Sequence, residues 1–320
     1  MAFIEPSVTI LVTVKNSAGT IKKCIDSILN LNYKNKKVYV TDAYSTDGTW
    51  EILKKYGKRI RLDRIKGNIA VGHNYMIKRS NTEFISFTDA DCVVDRNWLK
   101  RLIEVFKTDE IVASGGMVKT PSGVNKLQQL VGRELEHRFS EMPYQVERLP
   151  TISLCVRTKI AKKILFDKDL DVAQETDWGY RVTKLGKMIF VPNSVVYHYH
   201  RATWKNYFKQ QYVYAKFAFS LFFLKKHKNR MFGDRITKAY VPFQIIMVYL
   251  TVLFLLLSIF NSQSLFLSSL SLLIILLTYF VHALILSKTP YEFLFYILIF
   301  AVRNVAWCLG LLRGIFIKFK

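Results

Sequence analysis

The chain has 320 residues, 51% of them hydrophobic, and carries 47 Lys and Arg against 24 Asp and Glu, a formal net charge of +23. The length suits about two domains, and their compositions differ: Glu292 is the one acid beyond Asp234, and no Asp, Glu, Lys or Arg occurs from Ala239 to Ser287. That stretch excludes a wholly soluble protein, because a soluble core helix rarely exceeds about 20 residues and shows a polar face.

Through Thr237 there are 41 basic residues against 23 acids, or +18, a balance that suits nucleotide substrates or an anionic membrane surface. The richest basic patch, ten Lys and Arg against Asp234 from Arg201 to Lys238, adjoins the first apolar span and is interleaved with Trp204, Tyr207, Phe208, Tyr212, Tyr214 and Phe217. Aromatic and basic residues together describe interfacial helices, and positive charge beside a span marks the cytoplasmic side. Nucleic acid is therefore a poor fit as partner. Cys24, Cys92, Cys155 and Cys308 are dispersed and indicate neither a disulfide framework nor a zinc site. The first residues lack a basic start and a long apolar core, so no cleaved signal is expected.

In chain order, Ser7 to Val14 is a β-rich run, and Ile21, Cys24, Ile25, Ile28 and Leu29 recur at helical spacing after Thr20. A second strand, Lys37 to Thr41, ends at Asp42 before the turn-rich Tyr44 to Gly48, and Thr49 to Tyr56 reads as a helix. Arg59 to Asp63 gives a short third strand and Asn68 to Lys78 a helix. Phe84, Ile85 and Phe87 then form a buried strand that stops at Asp89-Ala-Asp91. Side chains alternate on an extended chain, so both acids fall on one side. Two hard oxygen ligands at a strand end suit Mg²⁺ or Mn²⁺ held with substrate phosphates. An acidic turn is the plainer reading of Asp-x-Asp taken alone. Against it, Asn16, Asp42 and Asp89 all close strands in an alternating pattern, which is where parallel α/β sheets bind ligands.

Farther on, Ile111 to Val118 is a strand ending in the Gly115-Gly116 pair, Asn125 to Phe139 a helix, and Ser153 to Thr158 a strand before a Phe166-Asp167 turn. Gly186 to Val191 is another strand, followed by Val195 to Arg201. If that last segment is extended, His198 and His200 share a face. A neutral imidazole there would complete a cation's coordination and favour Mn²⁺, the alternative being that one His packs and the other pairs with an acid.

Ser7-Val-Thr-Ile-Leu-Val-Thr-Val-Lys-Asn16, Val40-Thr-Asp-Ala-Tyr-Ser-Thr-Asp-Gly-Thr49 and Phe87-Thr-Asp-Ala-Asp91 resemble, in order and spacing, the three opening motifs of family 2 glycosyltransferases. The resemblance runs from about Ser7 to about Lys216 and implies an inverting enzyme with the A-type, nucleotide-sugar-binding fold. It implies that Asp42 contacts the nucleotide base with Thr13 and Asn16 lining the same pocket, and that Asp89, also on the nucleotide, and Asp91 bind the metal. Ala173-Gln-Glu-Thr-Asp-Trp-Gly-Tyr-Arg181 resembles the segment that supplies the catalytic base; alignment on Asp177 and Arg181 puts the base at Glu175, with Gln174 replacing a usual acid. Inversion needs one carboxylate to take the acceptor's proton while the leaving diphosphate is neutralised. The bland alternative is that Glu175 and Asp177 are first-turn acids favoured by the helix dipole. Asp177, Trp178 and Arg201 are placed as acceptor or phosphate contacts. The chain departs from the pattern at Ala43 and Tyr44, where an acid or amide and a glycine are usual, and at His73, which stands in place of an Arg and meets a diphosphate only when protonated.

The fold expected is thus α/β: a Rossmann-like, mostly parallel sheet over 1–200, basic aromatic interfacial helices over 201–238, and an α-helical membrane region over 239–320. Within the last, 239–260 and 265–287 have the length of full spans. Arg303 in the middle of 291–317 would be costly at mid-bilayer, which favours an interfacial or partly inserted third segment. The function expected is a metal-dependent transferase, anchored in the cell membrane with its catalytic domain cytoplasmic, that moves a sugar from a UDP- or GDP-linked donor to a lipid or polyprenyl-linked glycan. A polyprenyl-phosphate sugar synthase, whose acceptor needs no base, a processive polysaccharide synthase and a non-catalytic nucleotide-binding membrane protein are the alternatives.

Overall fold

The computed structural model describes residues 5–219, 221 and 238–316, which gather into two units: Met1–Gly123 with Met142–Tyr199, and Val124–Glu141 with His200–Lys320. In the first unit the chain alternates β1 (Val8–Val14), α1 (Ile21–Leu29), β2 (Lys36–Asp42), α2 (Thr49–Lys54), β3 (Arg61–Arg64), α3 (Ile69–Arg79) and β4 (Phe84–Phe87). The four strands lie in the order β3-β2-β1-β4, all parallel. The composition of β1 explains its place: it is rich in β-branched residues, and all but Thr13 are buried, as a strand covered on both faces requires. On α1 the buried residues are Ile21, Cys24, Ile25 and Ile28, the stripe read from the sequence.

After β4 come β5 (Cys92–Val94), α4 (Trp98–Ile103), β6 (Ile111–Lys119), α5 (Lys126–Ser140), β7 (Gln145–Val146), β8 (Leu154–Arg157), α6 (Thr158–Lys163), α7 (Gln174–Val182) and β9 (Lys187–His198). The sheet continues β8-β6-β9-β5, with β7 on β9. Here β6 and β9 are parallel, while β4–β8, β6–β8, β5–β9 and β7–β9 are antiparallel. The sheet is therefore mixed, and its parallel half is the one read from the sequence. Only residues 88–91 separate β4 from β5, too few for the crossover that a parallel neighbour needs. The Gly115-Gly116 pair does not end β6, which runs on to Lys119. Glycine is required inside this strand because a Cβ on Gly116 would lie 2.2 Å from Ser194 O, at the register shift between β6 and β9.

The second unit comprises α5 together with α8 (Trp204–Phe219), α9 (Tyr240–Leu257), α10 (Ser262–Leu286) and α11 (Pro290–Ile315). Of the expected interfacial helices, α8 covers 204–219, and 222–237 lie outside the described residues. The last three helices are each long and apolar enough to cross a membrane. Helix α5 begins with a capping box between Asn125 and Gln128. It lays Leu127 and Leu130 into a core shared with Tyr207, Ile275, Tyr279, Tyr296 and Phe300.

Arg303 is resolved by its partners. It lies midway along α11, yet its Nη1 donates to Glu134 of α5 at 2.6 Å and its guanidinium faces the Tyr240 ring at 5.8 Å. Asn304 beside it donates to Tyr279 Oη at 2.7 Å. Arg303 thus stands level with the first turn of α9, and its charge is met by a carboxylate from another helix.

Candidate active site

The ends of β1 and β2 form one corner, tied by side chains reaching backbone. Asn16 N donates to Ser45 Oγ at 2.8 Å, and Thr46 N donates to Asn16 Oδ1 at 2.9 Å. Asp42 accepts Ser45 N at 3.1 Å and Arg64 Nε at 3.0 Å, and it is fully enclosed. Arg64 has no local motif to betray it. It reaches Asp42 through the β2–β3 register, in which the two residues are opposite each other. The three non-glycine residues at positive φ among the described ones are Asn16, Tyr44 and Ala173. They fall on a candidate site residue, two after Asp42 and two before Glu175, and such backbone outliers gather at functional sites.

His73 lies inside this region. It is fully buried, touches Thr13 Oγ1 at 3.5 Å, and packs on the rings of Phe87 and Phe166 with centroids 5.0 and 5.2 Å away. Burial lowers its pKa to about 3, so the imidazole is neutral. It offers a diphosphate neither an exposed edge nor a charge. Gly72 before it lets α3 press against the sheet, since a Cβ there would meet Thr13 Cγ2 and Thr41 Oγ1 at 2.9 Å.

The acidic pair sits between β4 and β5, and strand pairing supplies its neighbour. Antiparallel β5–β9 places His198 opposite Cys92, leaving His198 Nε2 3.4 Å from Asp91 Oδ1. Asp91, Cys92 and His198 bring a carboxylate oxygen, a sulfur and an imidazole nitrogen within 4.8 Å of one another. Asp89, half-buried, is outside that trio, and His200 lies beyond the end of β9. Burial, reinforced by the charges of Asp91 and Asp89, pushes the thiols of Cys24 and Cys92 up and keeps them protonated. Asp91 and His198 offer a cation a carboxylate oxygen and an imidazole nitrogen, donors that fit Mn²⁺.

Glu175 opens α7. The helix starts at a left-handed Ala173, with φ +63°. Burial raises the pKa of Glu175 above the usual carboxylate range, opposed by its own backbone N–H and by the positive charge of Arg148. Arg148 is held at the same helix by donating to Thr176 Oγ1 at 3.1 Å. Asp177 and Trp178 turn inward rather than toward a ligand. Asp177 is bound by Arg181 at 2.6 Å; Trp178 is fully buried, donates to Ile164 O at 2.6 Å and stacks on Phe166 at 5.1 Å. Their inward turn locates the helix, because Trp178 also meets Phe87, the last residue of β4, at 6.4 Å. The first turn of α7 and the acidic pair therefore belong to the same end of the sheet. Arg201 is exposed and belongs to the second unit.

Residues 9–170 match Glycosyl transferase family 2. The glycosyltransferase AglE of Haloferax volcanii is 24% identical over 205 residues, which are 60% of this chain and 66% of that one. A dolichyl N-acetyl-alpha-D-glucosaminyl phosphate 3-beta-D-2,3-diacetamido-2,3-dideoxy-beta-D-glucuronosyltransferase of Methanococcus voltae is 24% identical over 235 residues, 65% of this chain and 71% of its own. Among solved structures, the mannosyltransferase PcManGT from Pyrobaculum calidifontis, in complex with GDP-Man and Mn²⁺, shares the fold at TM-score 0.57 and 16% identity, covering 95% of this chain and 88% of that one. Staphylococcus aureus TarS residues 1–349, in complex with UDP-GlcNAc, align at TM-score 0.51 and 17% identity over 70% of each chain. The family match spans just over half of the chain, and with the A-type fold around its strand-end acids it makes this protein a glycosyltransferase of family 2.

Proposed function

We propose that the protein transfers a sugar, with inversion, from a nucleotide-sugar to a lipid or lipid-linked glycan at the cytoplasmic face of the membrane. The observation that carries the reading is the juxtaposition built by Phe87 and Trp178: a carboxylate with a raised pKa at the start of α7, at the same sheet end as Asp89 and Asp91. Glu175 is the base. It accepts the proton of an acceptor hydroxyl as the new oxygen–carbon bond forms at the anomeric carbon and the bond to the diphosphate breaks on the opposite side. A base with its pKa raised toward neutrality suits that task. Asp91 and His198, with Asp89, would hold a divalent cation, which when bound neutralises negative charge on the departing diphosphate. Thr13, Asn16 and the Asp42–Arg64 corner would receive the nucleotide.

Three apolar helices and a relative whose own acceptor is a dolichyl-linked sugar support a lipid-borne acceptor. Positive charge ahead of α9 supports a cytoplasmic catalytic unit. The test is transfer from UDP- and GDP-sugars to native lipid extract by the full chain in detergent, with and without Mn²⁺ or Mg²⁺. Metal-dependent product that both Asp91→Ala and Glu175→Gln abolish supports the assignment. Full activity of Glu175→Gln beside a dead Asp91→Ala would remove the base and favour a phosphate acceptor, which is ionised before it attacks.

A further inference from the structure

We propose that the ring of Tyr44 is a stacking shelf for the base of the donor nucleotide. This rests on the reading of the β1–β2 corner as the nucleotide site and adds the residue that holds the base by its face. Tyr44 is 53% exposed although the corner around it is tightly bonded, and its backbone stands at φ +56°. A bulky residue in the left-handed region is strained and persists only where its surroundings over-determine it. They do so here: Ser45 N is held by Asp42, Ser45 Oγ accepts Asn16 N, and Thr46 N is held by the Asn16 side chain. The turn fixes the ring in the open.

The ring also has a charged support. The Arg64 guanidinium carbon lies 5.1 Å from the Tyr44 centroid and 4.5 Å from that of Trp50. Arg64 is itself pinned by Asp42 and by Ser45 O, to which its Nη2 donates at 3.2 Å. A pinned cation against a ring restricts the ring's motion and adds cation–π attraction. Asp42 meanwhile shows no surface and has its carboxylate engaged. What this corner presents to a planar heteroaromatic group is therefore an aromatic plane rather than an acid. Stacking tolerates any base, since each has a π-face.

The test is calorimetric titration of the full chain in detergent with UDP, GDP and inorganic pyrophosphate in the presence of Mn²⁺, for wild type, Tyr44→Gly and Tyr44→Phe. Glycine accepts positive φ without strain, so Tyr44→Gly should keep or raise the melting temperature. It should weaken binding of whichever nucleotide binds by about five- to a hundredfold and leave pyrophosphate affinity unchanged, and Tyr44→Phe should bind as wild type. Nucleotide affinity unaltered in Tyr44→Gly, or pyrophosphate affinity falling in parallel with it, overturns the shelf while sparing the nucleotide site. Failure of wild type to bind UDP or GDP removes the nucleotide reading and the shelf together.

Discussion

Two glutamates on two helices show how burial can be used in opposite ways. Glu134 of α5 is 4% exposed and is engaged by Arg138, by Arg303 Nη1 at 2.6 Å and by the Tyr240 hydroxyl at 3.0 Å. Burial alone would raise its pKa, but the two guanidiniums outweigh it and bring it down to about 2. Glu175 of α7 is partly buried and has no ion-pair partner among the described residues, and burial moves its pKa up. The first carboxylate is committed to holding helices together. In the proposed reading the second is the base that takes a proton; it is less deeply buried and no guanidinium is paired with it among the described residues.

Substitution should separate the two roles. Glu134→Gln takes from the buried Arg303 and from Arg138 the carboxylate they share, a change that costs about 3–5 kcal/mol when one partner of a buried pair is removed. The expected result is a large fall in melting temperature in detergent, with recovery when Glu134, Arg138 and Arg303 are all replaced by leucine. Glu175→Gln should leave the melting temperature nearly unchanged and lower transfer about 10²- to 10⁴-fold, the usual contribution of general base catalysis. If Glu134→Gln melted as wild type, or Glu175→Gln lost stability in step with activity, the distinction between a tie and a base would fail.

His73 sharpens the comparison from the cationic side, as a buried group kept neutral. Its pKa is lowered to about 3 from an ordinary 6.5 by burial. Between those values the unfolded chain binds a proton that the folded chain refuses, so stability falls as pH drops from about 6.5 toward 3 and is untouched above that range. His73→Phe should flatten the acid side of the unfolding-free-energy profile by up to one proton. A slope unchanged in that variant would show that other groups carry the acid sensitivity.

The parts legible in the sequence are those that local pattern controls. Strand ends put Asn16, Asp42, Asp89 and Asp91 where they were expected, and the segment around Glu175 does open a helix. What pairing and packing decide was not legible. Arg64 meets Asp42 only because β3 lies beside β2 in one register, and His198 meets Asp91 only because β9 returns antiparallel to β5. That Asp177 and Trp178, expected as acceptor or phosphate contacts, are buried is likewise a matter of packing, since which side of a short helix is covered depends on Phe166 and Phe87 from elsewhere in the chain. Arg303 read as a lone charge within an apolar segment because its partner Glu134 is 169 residues away.

Arg148 offers the finest adjustment of the contrast, since it is the one cation whose charge opposes the upward shift of Glu175. It also has a packing role: it donates to Thr176, and a Cβ on Gly179 would come within 2.7 Å of its own Cβ. The two roles predict different kinetics. If the charge matters, Arg148→Ala lets the Glu175 pKa rise further, and the acid limb of the rate–pH profile moves to higher pH while the plateau holds. Because a fixed charge beside a partly exposed carboxyl is screened by solvent and salt, the displacement should shrink at high ionic strength. Arg148→Lys keeps the charge and should keep the limb in place. A packing role would lower the plateau with the limb unmoved, and would leave burial alone to set the proton affinity of the base.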